Sequence, residues 1–94
     1  MSVISCVVSS SPLPSFRSVR LEVDVLGVDD QVFDVLNFSI SYSFDGVRVD
    51  FSPIVLFEGH GNYLLSFVVP LSATDFVVSV GDLRGVMCCV SFDL

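Results

Sequence analysis

The sequence predicts an all-β fold, a single antiparallel β-sandwich or barrel of about eight short strands covering residues 1–94. Three observations lead there. No stretch repeats its apolar residues at helical spacing. Apolar and polar residues alternate in short runs instead, as they do along a strand with one buried face. Clusters of Gly, Pro, Asn and Asp divide these runs at intervals suited to turns.

Residues 2–9 set Ile4, Cys6 and Val8 against Val3, Ser5 and Val7, which gives a first strand. Residues 9–15, SSSPLPS, read as a connector, because its two prolines cannot donate to a ladder. Phe16–Leu26 is the second strand, with Val19, Leu21, Val23 and Val25 inward and Arg20, Glu22 and Asp24 toward water. Residues 27–31, GVDDQ, form a turn, and residues 32–36 lead into the next strand, where Asn37 marks a bulge or a change of sheet.

A central hairpin organises the chain. Asp45-Gly46 suits a two-residue turn whose central positions both need positive φ. The register follows: Phe44 faces Val47, Ser43 faces Arg48, Tyr42 faces Val49, Ser41 faces Asp50 and Ile40 faces Phe51. Phe38, Ile40, Tyr42, Phe44, Val47, Val49 and Phe51 then share one face. Ser39, Ser41, Ser43, Arg48, Asp50 and Ser52 share the other. A slip of one residue would turn the whole aromatic set into water, so the register is strongly specified.

Pro53 ends that hairpin. Residues 54–57 form a short, wholly apolar strand, and Glu58-Gly59-His60-Gly61-Asn62 turns the chain. Residues 63–69 return with Tyr63, Leu65, Phe67 and Val69 on one face and Leu64, Ser66 and Val68 on the other; Tyr63, beside the turn, is expected to stay exposed. Pro70 closes this strand, residues 76–80 form another, and residues 81–85 turn into a last strand over 86–92. That strand groups Val86, Cys88, Val90 and Phe92.

Composition narrows the function. The chain is 52% hydrophobic, against the usual fraction of about 45–50%, and only 16% charged. So much apolar surface is hard to hide in 94 residues, which points to a contact with another subunit, a partner or a ligand. The edges also lack lysine, the residue that most often blocks strand-to-strand pairing. A homodimer is therefore expected, touching through Leu64, Val68, Met87 and Cys89, which lie opposite the core faces. A formal charge of −7 argues against nucleic acid and against anionic lipid headgroups. No run of residues is long and apolar enough for a transmembrane helix. Three cysteines, an odd number, do not make a disulfide framework and favour a reducing, intracellular compartment.

Lysine is absent, Thr occurs only at 74, Asn only at 37 and 62, and Ile only at 4, 40 and 54. These residues share codons that begin with A. A nucleotide-level constraint would explain that joint depletion, such as a skewed genome or a gene overlapping another reading frame, as small viral accessory genes do; the host cytoplasm would then be the compartment.

Chemistry-bearing motifs are sparse. Asp29, Asp30, Asp34, Asp45, Asp50, Asp75 and Asp82 lie in or near turns, but no calcium-loop spacing appears and solvated turns explain them. His60 between two glycines reads as an exposed polar turn. Cys88-Cys89 lacks zinc-ligand spacing, and neighbouring strand residues point to opposite faces. There is no nucleophile elbow, P-loop or dinucleotide fingerprint. The chain is expected to be a non-enzymatic interaction or structural protein without a cofactor. The polar face of Ser39, Ser41, Ser43, Arg48 and Asp50 offers hydrogen bonds to a protein or sugar, with solvated sheet as the plainer reading. Two alternatives stand beside it: a carrier of lipid or another small apolar ligand, and a calcium- or carbohydrate-binding module.

Overall fold

The computed structural model describes residues 2–27, 36–59 and 61–94. Eight strands run through them: β1 (Ser2–Pro12), β2 (Phe16–Leu26), β3 (Asn37–Phe44), β4 (Val47–Phe51), β5 (Ile54–Gly59), β6 (Asn62–Pro70), β7 (Thr74–Gly81) and β8 (Met87–Phe92). They form two antiparallel four-stranded sheets, ordered β1-β2-β6-β5 and β4-β3-β7-β8. Each sheet is built from two hairpins, and successive hairpins along the chain alternate between the sheets. The joins within a sheet are non-local, β2 with β6 and β3 with β7. The expected turn over residues 27–31 lies outside the described residues apart from Gly27, as does the lead-in strand apart from Leu36.

The Asp45-Gly46 turn has positive φ at both positions, 52° and 77°. All five expected cross-strand partners, from Phe44↔Val47 to Ile40↔Phe51, are in register. β3 is interior to its sheet and β4 is an edge. The chain then passes Ser52 and Pro53 and changes sheet, so the proline falls where no ladder needs its missing N–H.

Alternation supplies the core. Val19, Leu21, Val23 and Val25 of β2 and Leu65 and Val69 of β6 bury almost completely beneath Ile40, Val78 and Val80 of the facing sheet. Burying a side chain of this size contributes about 1.5–3 kcal/mol against leaving it exposed. Five aromatic rings close a loop inside the sandwich: Phe51–Phe67 at 5.8 Å, Phe67–Phe92 at 6.1 Å, Phe92–Phe76 at 5.4 Å, Phe76–Tyr42 at 6.2 Å and Tyr42–Phe51 at 5.9 Å. Phe67 alone belongs to the first sheet, so this loop ties β6 to β3, β4, β7 and β8.

Two expectations need correction. Tyr63 is 4% exposed rather than solvent-facing. It sits on the inward face with Leu65 and Phe67, and its ring lies 4.7 Å from Phe38 and 5.4 Å from Phe57. Nearness to a turn does not expose a residue whose alternation points it inward. The first strand also runs on to Pro12 instead of stopping at residue 9. β1 is an edge with a bulge between Val7 and Ser9, the setting in which a sheet tolerates proline.

Candidate interaction site

The two outer faces differ in chemistry. On the second sheet, β3 presents Ser39, Ser41 and Ser43, next to Arg48 and Asp50 of β4 on one side and Ser79 and Val77 of β7 on the other. Ser41 Oγ accepts from Arg48 Nε at 3.0 Å and Nη2 at 2.6 Å, and Ser43 Oγ accepts from Nη1 at 3.2 Å. The Arg48 donors are thus turned onto the sheet itself. Cys89 Sγ lies 3.3 Å from Ser79 Oγ, continuing the row of small polar groups onto β8. Ser39 and Met87 meet around a cavity of about 470 Å³ that Asn37, Ser79 and Asp82 also line.

The outer face of the first sheet carries an apolar stripe. β5 pairs Ile54 with Ser66 and Leu56 with Leu64, and β6 adds Val68 two positions further on. Ile54, Leu56, Leu64 and Val68 therefore share one side, bordered by Arg20 and Glu22 of β2. Leu64 and Val68 lie together there as expected, but Met87 and Cys89 belong to the other sheet. The four do not form one surface. The residues that sequence reasoning missed are those of β5. Ile54, Val55, Leu56 and Phe57 keep between 42% and 76% of their surface exposed. A run that is wholly apolar has no period to show which side is buried, so it reads as core.

Among the described residues β5 is an edge strand, paired only with β6. Its inward side chains open onto a cavity of about 400 Å³ between the sheets, lined by Leu36, Phe38, Pro53, Val55, Phe57 and Tyr63, with Asn37 and Ser52 as the polar members. The opposite margin differs, because β1 and β8 lie against each other there. Among the described residues the sandwich is thus closed along β1 and β8 and parted beside β5.

The acidic turn residues do not converge. Among the described residues, no three His, Cys, Asp or Glu side chains are grouped to hold a metal ion. Asp82 braces its own loop: its carboxylate accepts from the N–H groups of Arg84 at 2.9 Å and Val86 at 3.0 Å. Asp45, in its turn, and Asp75, inside β7 where the pairing with β3 shifts register, have positive φ, which Asp tolerates better than most residues. Asp29, Asp30, Asp34 and His60 lie outside the described residues. Cys6, Cys88 and Cys89 are free thiols. No helix among the described residues is long and apolar enough to cross a membrane. No family model, curated protein or solved structure matches the chain.

Proposed function

We propose that this chain is a non-enzymatic protein-interaction or structural protein that works through apolar β-sheet surface, as a homodimer. One observation carries the reading: β5 leaves four consecutive apolar residues, Ile54–Phe57, exposed on a sheet edge, continuous with Leu64 and Val68. Pro53 and Glu58 flank that run, but the four residues between them carry no charge, and such an edge segment is a template for another strand. The scarcity of Lys, Thr, Asn and Ile, residues whose codons begin with A, supports a small viral accessory protein, and the three free thiols suit a reducing compartment, the host cytoplasm in that case.

A native mass spectrum of the purified chain tests this. A dimer, or a complex with a captured protein, without small-molecule mass is the expected result. A monomer carrying lipid mass would overturn it. That outcome would establish the second reading, an apolar-ligand carrier, which the cavity of about 400 Å³ beside β5 favours. The nucleotide sequence tests the origin: a second open frame across the gene is expected, and an isolated gene with balanced codon use would remove the motive for a viral source.

A further inference from the structure

We infer that the occupant of the β5 edge is β5 of a second copy, paired antiparallel about Leu56. This inference rests on the interaction-protein reading above and adds the partner and the register.

Geometry restricts the ways in which β5 can pair with itself. A two-fold axis that joins two copies of one strand into a single antiparallel sheet stands perpendicular to the sheet and runs midway between a residue and its own copy, so one residue must face itself. Centring on Val55 would place Phe57 opposite Pro53, which has no N–H to donate. Centring on Leu56 avoids the proline. It sets Leu56 opposite Leu56 of the second copy, Val55 opposite Phe57, and Ile54 opposite Glu58 at the frayed ends. The bulge between Phe57 and Gly59 falls at that end of the strand, outside the three central pairs.

The same register serves both faces of β5. On the outer side, Leu56 of each copy meets the other at the axis, and the two stripes of Ile54, Leu56, Leu64 and Val68 become continuous. On the inner side, Phe57 of each copy comes beside Val55 of the other, at the rim of the cavity that Phe38, Pro53 and Tyr63 line. The product is a single eight-stranded sheet, β1-β2-β6-β5 followed by its two-fold copy.

Charge agrees with this assignment, and the exposed parts of Ile54, Val55, Leu56 and Phe57 are the side-chain surface that the edge brings to it. Two copies of formal charge −7 repel each other, and Pro53-Ile54-Val55-Leu56-Phe57 is an edge segment without a charge, where they can meet at least cost.

Cysteine placed at single positions reads the register directly. Facing residues of an antiparallel pair have Cα atoms about 4.5–5.5 Å apart, within the range a disulfide spans. Under mild oxidation Leu56→Cys should give a covalent dimer whose cross-linked peptide joins position 56 to position 56. Val55→Cys alone should give none at 55, whereas Val55→Cys mixed with Phe57→Cys should link 55 to 57. Peptide mapping separates these products from links through Cys6, Cys88 or Cys89. Leu56→Lys should abolish the dimer with an unchanged circular dichroism spectrum, since the side chain is exposed. A native dimer without the 56–56 link, and unaffected by Leu56→Lys, would overturn the β5 assignment while leaving the interaction-protein reading intact. A monomer at all concentrations would overturn the second copy as occupant. If that monomer also carried lipid, the broader reading would fail with it.

Discussion

The outer faces of the two sheets are made by the same alternation and differ in what fills the outward positions. On β3 the outward residues are Ser39, Ser41 and Ser43, and Arg48 from the neighbouring strand lies across two of them, turning its donors inward onto the sheet. On β5 and β6 the outward residues are Ile54, Leu56, Leu64 and Val68, with Ser66 as the one hydroxyl among them. Backbone geometry treats the faces alike. Side-chain chemistry makes one of them content in water and leaves the other in need of cover. Within one chain, then, the second sheet is a control for the first.

The comparison presumes that both faces stand on one core, and the largest effects should come from breaking it. Leu21→Ala and Leu65→Ala, at fully buried and directly paired positions, should each cost about 2–5 kcal/mol. Urea denaturation at fixed protein concentration measures this, and a loss similar to that of a surface substitution would disprove the shared core. Next in size is the turn that sets the serine face. Gly46 has φ of 77° and open space where a Cβ would lie, so Gly46→Ala meets only the left-handed backbone penalty, about 1–2 kcal/mol. The same denaturation series reads it.

The two smallest changes probe the outer faces themselves. Arg48→Ala removes hydrogen bonds from an exposed site, and a stability loss below about 1 kcal/mol is expected, with no change in mass by native spectrometry. Ile54→Thr on the apolar stripe, at an exposed position, should change stability by no more than about 0.5 kcal/mol, yet weaken association measurably in a dilution series. Should Arg48→Ala alter association and Ile54→Thr leave it untouched, the roles assigned to the two faces would be reversed.

Much of this architecture was legible because the sequence punctuates itself. Asp45-Gly46 fixes a turn type, the turn fixes a register, and period-two alternation then places each side chain from Phe38 to Phe51. β2 is equally plain, since Arg20, Glu22 and Asp24 interleave Val19, Leu21, Val23 and Val25. The partition into sheets was not legible. Nothing local tells β2 to pair with β6, or Pro53 to carry the chain from one sheet to the other. That is why Leu64 and Val68 were joined with Met87 and Cys89 as contact residues although the sheets separate them. The strand over 54–57 is legible but its exposure is not, because a run without polar residues lacks the contrast by which a buried face is recognised. For Tyr63 the parity of its strand outweighs its nearness to a turn.

The alternation of hairpins between sheets sets the pace at which this chain can fold. A hairpin closes in about 1–10 μs, and β5 and β6 are near neighbours in sequence. β6 joins β2, however, only across the span that holds β3, β4 and β5. Sandwiches ruled by such distant partnerships fold over milliseconds to seconds, because loop entropy is lost before contacts compensate it. During that search the bare flank of β5 is present without the sheet that orients it. The interval in which chains can join wrongly therefore lasts as long as the search for the two distant joins, β2 with β6 and β3 with β7, and shortening that search would protect the protein even if its final stability did not change.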